Sequence, residues 1–324
     1  MQIIPISKAT VEQLLPLFKS AYVEESLGGS DLPSFSDVEP LTKQSLSRLI
    51  EKGSGLAVEE DGELCGYMIG VPVDGLFGSE PGIVVLLHAH AAKVGMKEIV
   101  YSVLYEQLAQ IWTSQGRTSH AVVLFAHDQI TNDFFYENGF GKRCVDAITR
   151  VKNDTFSVSN IEIHEATNET IPLIAPLHLE HVRYYRQAPI FMPNGDIDPI
   201  KDLTQWVAQK NHHLWYATLN HEVVGYMRIQ PTGETVISRS QNMMNITGAY
   251  VDPKYRGQHI SKALLYEVHR YLAQNGYEYL GVDYESINPQ GNRFWSLHFT
   301  PYTFSLTRRI DERILPFLQE KSEQ

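Results

Sequence analysis

Cysteine is nearly absent from this chain: Cys65 and Cys144 are the only two in 324 residues. They stand far apart and in no metal-ligand spacing. That excludes a disulfide-stapled fold and a Cys-rich zinc module, and free thiols are expected. Long apolar runs are missing too. No stretch approaches the roughly 18 residues of a membrane span, and Met1-Gln-Ile-Ile-Pro5 lacks the basic start and apolar core of a secretory signal. Positive charge is in deficit, with 27 Lys and Arg against 38 Asp and Glu and a net charge of −11. Such a balance argues against nucleic acid or an anionic membrane as partner, although it leaves room for a local basic pocket. What is present is a globular composition, 43% hydrophobic and 20% charged. A cytoplasmic protein of two domains, each of roughly 150 residues, is the expectation.

The two halves echo each other. Asp61-Gly-Glu-Leu-Cys-Gly-Tyr-Met68 returns as Asn220-His-Glu-Val-Val-Gly-Tyr-Met227, an offset of 159 residues. Each copy reads as a two-residue turn between strands, over 55–60 and 214–219 on the incoming side. Val11 to Leu17 resembles Ile171 to Leu177 at about the same offset, each after a short β-rich opening. Matches in the same order indicate duplication. Each half then contains a long helix, expected over 97–115 and 258–275. Val100, Val103, Leu104, Leu108, Ile111 and Trp112 form the apolar face of the first. Leu264, Leu265, Val268, Tyr271 and Leu272 form that of the second, and Gly116 and Gly276 supply the stops. The polar run from Asn153 to Ser159 is the expected junction, giving domains 1–155 and 160–324.

Chemistry concentrates in Ile246-Thr-Gly-Ala-Tyr-Val-Asp-Pro-Lys-Tyr-Arg-Gly-Gln-His-Ile-Ser-Lys-Ala-Leu-Leu265. A strand should end at Val251, since Pro253 cannot continue it, and a tight turn leads into the helix. The free N–H groups and positive dipole end of that helix form an anion site suited to a pyrophosphate. Arg256 adds charge, and Gly257 lets the backbone approach.

These residues resemble the pyrophosphate signature of the GNAT superfamily of acyl-CoA N-acyltransferases: Arg or Gln, two residues, Gly, one residue, then Gly or Ala. Val251-Asp-Pro-Lys-Tyr-Arg-Gly257 matches the usual lead-in. His259 stands where the family prefers Gly, and Ser261 where it prefers Gly or Ala. Downstream, Asn288, Gly291, Phe294 and Trp295 fall on the family's next motif, which packs along the pantetheine arm. The aromatic there is often a Tyr thought to protonate the departing thiolate. Trp295 is too weak an acid for that, so either another group, such as Tyr284 or water, does the job or the thiolate leaves without a dedicated acid. The resemblance covers about 161–309.

By resemblance, the fold is α/β (α+β): two GNAT-like domains, each a mixed, mostly antiparallel sheet flanked by helices, its central strands splayed where the cofactor enters. The implied co-substrate is acetyl-CoA or another acyl-CoA, with no metal. The implied contacts are Tyr250, Val251, Arg256, Gly257, Gln258, His259, Ile260 and Ser261 in the loop, with Asn288, Phe294 and Trp295 beyond it. The implied reaction is direct attack of an amine, small molecule or peptide, on the thioester, with the second half active. A general base is needed. Asp283 and Glu285 are the candidates, expected on one strand face opposite Val282 and Tyr284. A non-catalytic CoA-binding sensor is the alternative, and a purely structural pair of domains a third.

The first half keeps Phe134-Phe-Tyr-Glu-Asn-Gly-Phe140, similar to the family's closing aromatic helix. Where the loop should be it reads His88-Ala-His-Ala-Ala-Lys-Val-Gly-Met96, so a degenerate copy is expected. His88 and His90 read as core or surface residues rather than metal ligands. His212 and His213 are expected to be solvated, and Tyr277, Tyr279 and Tyr284 to pack in the sheet. The polar stretch 230–245 is a candidate wall of the acceptor groove.

Overall fold

A computed structural model describes residues 1–76, 78–153 and 156–319. Asp154 and Thr155, inside the expected junction, lie outside the described residues. The first repeat runs β1 (Gln2–Pro5), α1 (Val11–Leu27), α2 (Phe35–Lys52), β2 (Ser54–Glu60), β3 (Glu63–Val73), β4 (Gly82–Val85), β5 (His90–Ala92), α3 (Lys97–Ser114), β6 (Ser119–Phe125), α4 (Gln129–Glu137) and β7 (Gly141–Arg150). The second runs β8 (Ile161–Glu165), α5 (Ile171–Tyr184), α6 (Pro199–Val207), β9 (His213–Leu219), β10 (Glu222–Gln230), β11 (Met243–Val251), α7 (Ile260–Gln274), β12 (Tyr279–Glu285), α8 (Pro289–Trp295) and β13 (Thr300–Arg309), before a last short helix α9 (Leu315–Gln319).

Contacts divide the chain into two compact units, 1–146 with 235–237 and 300–324, and 147–234 with 238–299. In the first unit β2 and β3 pair antiparallel, β4 joins β3, and β6 lies parallel to β4 and antiparallel to β13. In the second, β8, β9, β10 and β11 pair antiparallel in turn, and β12 lies parallel to β11.

Duplication is visible down to single residues. Both hairpin turns place two residues at positive φ, Asp61 at 53° and Gly62 at 81°, and Asn220 at 51° and His221 at 67°. This is the twist-matched geometry of tight hairpins. Each hairpin then carries a bulge at the same place. Cys65 is the unpaired residue between Leu64 and Gly66 in β3, and Val224 the one between Val223 and Gly225 in β10. The extra residue bends the strand and increases its twist. Gly66 pairs with Ala92 and Gly225 with Val251, so β5 and the end of β11 are equivalent, and His90 corresponds to Ala249.

The long helices bury the expected stripe, with Val100, Leu104, Leu108 and Trp112 at 1% exposure or less, and Leu264, Leu265, Val268 and Leu272 likewise. Ile111 departs from expectation. It is 39% exposed, because a helical period carries it past the edge of the face that Leu108 and Trp112 occupy. Gly116 and Gly276 end both helices at φ 79° and 76°. Residues 235–237 belong to the first unit, and Thr235, Val236, Ile237 and Ser238 are buried, so this part of the polar stretch is packed inside. No helix among the described residues is long and apolar enough to cross a membrane.

Candidate functional site in the second unit

The parallel pair at the centre of the second unit comes apart. β11 pairs with β12 from Met243–Tyr279 to Ile246–Val282, yet β11 continues to Val251 and β12 to Glu285. A further bulge explains the parting: against β10, Thr247 is the extra residue between Ile246 and Gly248, where β12 drops away. The gap has Gly248 to Val251 on one side and Asp283 to Glu285 on the other.

The loop leaves from the end of β11. Asp252 accepts a hydrogen bond from the Lys254 amide at 2.9 Å and caps a single 3-10 turn, Pro253–Tyr255. Gly257 then takes φ 81°, and His259 takes φ 61° as the residue before α7. The helix therefore begins at Ile260, later than the expected Gln258. The first backbone hydrogen bond into it runs from Ala263 N–H to His259 O at 2.9 Å. Among the described residues the amides of Gly257 through Lys262 have no acceptor, and no side chain caps the helix. An uncapped terminus with a row of free donors is an anion site. A Cβ built on Gly257 would meet nothing within 4 Å, so the space outside the loop is open. The left-handed His259 also explains the preference for Gly at that position, because a side chain there costs about 1–2 kcal/mol. Its ring packs edge-on against Phe156 at 6.3 Å and makes no hydrogen bond to the free amides.

Around the loop, the Arg256 guanidinium lies 5.2 Å from the ring of Tyr184 and 5.7 Å from that of Tyr250, and its Nε donates to Val251 O at 3.3 Å. Tyr184 donates to Asn288 Oδ1 at 2.9 Å. That same oxygen accepts from the Gly291 amide at 3.2 Å, which caps α8. Gly291 packs closely here, since a Cβ would lie 3.0 Å from the Asn288 side-chain amide, which would have to shift. Tyr250, Val251, Ile260, Asn288 and Trp295 are buried, Ser261 is half-buried and Gln258 is exposed. Phe294, half-buried, packs on Trp295 and His298.

The candidate base and acid residues sit in unlike surroundings. Asp283 reaches solvent, whereas Glu285 and Tyr284 are buried. Although its surface is open, Asp283 is crowded by protein. Burial first, then the charges of Glu234 and Glu285, push its pKa up to about 6. Burial also raises the Tyr284 hydroxyl.

Sequence reasoning passed over the helix facing this gap. His178, His181 and Tyr184 lie three apart on α5, and that spacing of polar rings on one face was the signal available. His181 stacks on Tyr250 with centroids 5.0 Å apart and planes at 22°. Its Nδ1 lies 2.6 Å from the hydroxyl of the fully buried Tyr226. The same hydroxyl is 2.8 Å from Nδ1 of His178, whose Nε2 is 2.9 Å from Asp202. His212 and His213 are also half-buried rather than solvated. His213 is held by Glu165 at 2.9 Å and Tyr271 at 2.7 Å, and His212 packs on Trp206.

In the first unit α3 is also uncapped, with no acceptor among the described residues for the amides of Lys97 to Ile99, but the gap and the charge around the helix start differ. His90 places Nε2 at 2.8 Å from Val123 O on β6 and Nδ1 at 2.8 Å from the Tyr101 hydroxyl, so an imidazole bridges the strands. At the start of α3 the buried ammonium of Lys97 pairs with Glu24 at 2.6 Å and Asp128 at 2.9 Å. Those carboxylates oppose an anion. An open cleft of about 520 Å³ in this unit, between the start of α3 and α4, is lined by Glu98 and Glu137 and has the same sign.

Residues 180–299 match the family described as Acetyltransferase (GNAT) family. The structure aligns over 95% of this chain and 95% of the other with a GCN5-related N-acetyltransferase from Sphaerobacter thermophilus, at TM-score 0.58 and 12% identity. It aligns with a tandem GNAT protein from the clavulanic acid biosynthesis pathway at TM-score 0.50 and 13% identity, over 95% and 98% of the two chains. No curated protein sequence matches. At such identities the shared property is the fold. The chain carries a GNAT-family domain in its second half, and a GNAT-type fold extends over nearly its whole length.

Proposed function

We propose that the protein is an acyl-CoA-dependent N-acetyltransferase whose second unit holds the co-substrate and whose first unit does not. The reading rests on the row of unpaired amides from Gly257 to Lys262, placed beside a gap between β11 and β12. Gly257 to Ser261 would hold the pyrophosphate, with Lys254, Arg256 and Lys262 supplying positive charge nearby. Tyr250 and Val251 would follow the pantetheine arm along the parted edge of β11, facing Asn288, Phe294 and Trp295. Acyl-CoA supplies an activated thioester; the chain's own part is to fix it, exclude water and accept a proton from the amine. The acceptor is a small-molecule or peptide amine. The groups weighed for proton transfer from the sequence, Asp283, Glu285 and Tyr284, all lie on the β12 side of the gap.

Calorimetry with acetyl-CoA tests the assignment. We expect one site per chain, lost in Ser261→Trp, because an indole in the first turn of α7 covers the amides. Wild-type affinity in that variant would defeat the loop assignment. Thiol release with a panel of amines then separates the enzyme from a sensor, since tight binding without turnover on any amine identifies the sensor.

A further inference from the structure

Asp202, His178, Tyr226 and His181 form one hydrogen-bonded chain, and its polarity is fixed from one end. The Asp202 carboxylate only accepts, so the proton of His178 lies on Nε2, 2.9 Å away. A neutral His178 then presents a lone pair at Nδ1, which accepts the Tyr226 proton across 2.8 Å. Having donated, the Tyr226 oxygen accepts from Nδ1–H of His181 at 2.6 Å. His181 is left with an unprotonated Nε2, for which the described residues offer no hydrogen-bond partner. Burial holds both imidazoles below their ordinary pKa, so they are neutral as this assignment requires.

The free nitrogen belongs to a half-buried ring stacked on Tyr250, on the length of β11 that β12 has left. One turn further along α5, Tyr184 reaches Asn288, so the helix carrying His181 lines the same opening. With the first helices aligned at Val11 and Ile171, the first unit has Phe18 in place of His178 and Ala21 in place of His181. The chain of rings is missing from the unit whose gap is bridged.

Resting on the acyl-transfer reading above, we propose that His181 is the general base, its Nε2 taking the proton that the acceptor nitrogen loses, with Tyr226, His178 and Asp202 as positioning residues behind it. The C–N bond forms from the nitrogen lone pair as the C–S bond breaks and its electrons leave on sulfur, which takes a proton from solvent. His181 receives the amine proton at Nε2 and passes its Nδ1 proton to Tyr226. The Tyr226 proton moves to Nδ1 of His178, and the positive charge ends on His178 against Asp202. The relay makes His181 a better base than its burial alone permits, because the charge comes to rest beside a carboxylate.

The test has an arm that needs no acyl-CoA. Nitrogen NMR of the ¹⁵N-histidine-labelled full chain, assigned with His181→Gln, should show His181 protonated at Nδ1 and bare at Nε2. Tyr226→Phe and Asp202→Asn should each shift it towards a mixture of tautomers. With acetyl-CoA and an amine panel, His181→Gln should lose about 100-fold or more in kcat, with acetyl-CoA affinity unchanged by calorimetry. Tyr226→Phe should lose less, also in kcat rather than KM. An Nε2–H tautomer in the wild type overturns the proposal, and so does His181→Gln turning over as fast as an active wild type. A wild type inactive on every amine overturns the acyl-transfer reading itself, and this role with it.

Discussion

His90 in the first unit and Ala249 in the second occupy the same place in the same bulged hairpin sheet, and they have opposite effects on the gap between parallel strands. The imidazole bonds a β6 carbonyl and a buried Tyr hydroxyl, so it satisfies a backbone carbonyl that the parting would leave bare. The methyl group of Ala249 does neither, and the exposed edge of β11 is left for a ligand. The helix starts differ in the same sense. Both helix starts are uncapped, but below α3 a buried Lys97 is neutralised by two carboxylates, whereas before α7 Arg256 and Lys262 stand near the amides and Lys254 pairs with Glu222 at 3.9 Å. A duplicated scaffold thus filled its cavity in one copy and kept it in the other.

The sharpest way to break this comparison is to move the plug. Ala249→His should place an imidazole across the second gap, within reach of the Asp283 carbonyl that corresponds to Val123, and acetyl-CoA affinity should fall by 100-fold or more. Calorimetry on a variant whose circular dichroism matches the wild type would check it. Retained affinity would mean that the register equivalence does not predict the path of the ligand.

A second test asks whether the first unit's histidines are structural. His120 is 1% exposed, held between Tyr105 and the Arg117 carbonyl, and burial lowers its pKa to about 4. Its folded pKa lies below its unfolded value of roughly 6.5. The unfolded state therefore binds the extra proton first, and the stability that neutral His120 contributes is present above pH ~6.5 and lost as pH falls towards 4. Its equivalent in β12 is Leu280. In His120→Leu the free energy of urea unfolding, relative to wild type, should move in favour of the variant by up to about 3 kcal/mol between pH 7 and 4. A pH-independent difference would show that His120 does not titrate on unfolding.

Much of this contrast was legible in the residues. Asp61-Gly62 and Asn220-His221 announced the repeat, and Pro253 with Arg256-Gly257 located the loop, because turn chemistry and helix starts are local. His90 was read only as a core or surface residue, and its role as a bridge was not legible, since Val123 and Tyr101 reach it only through the sheet. The relay on α5 was missed for the same reason: Tyr226 and Asp202 come from other elements, and His178 and His181 on their own resemble ordinary polar helix positions. The β12 residues were expected to alternate, yet β12 is buried on both faces and exposes Asp283 alone. Alternation holds where one face meets water, which a central parallel strand does not do.

The smallest expected effect concerns the residue that departs from the pattern. His259 holds φ 61° with no side-chain hydrogen bond in return, so its conformation is strained without local compensation. Only the edge-on contact with Phe156 sets it off. His259→Gly should remove about 1 kcal/mol of strain, reduced by the greater freedom glycine has in the unfolded chain. The net outcome should be a gain of about a few tenths of a kcal/mol in the free energy of urea unfolding. Acetyl-CoA affinity should be unchanged or slightly higher, because the amides that grip phosphate belong to the backbone and His259 contributes only its own. A large loss of affinity would instead assign the imidazole itself to the ligand, making His259 a donor that the second copy gained rather than a glycine that it lost.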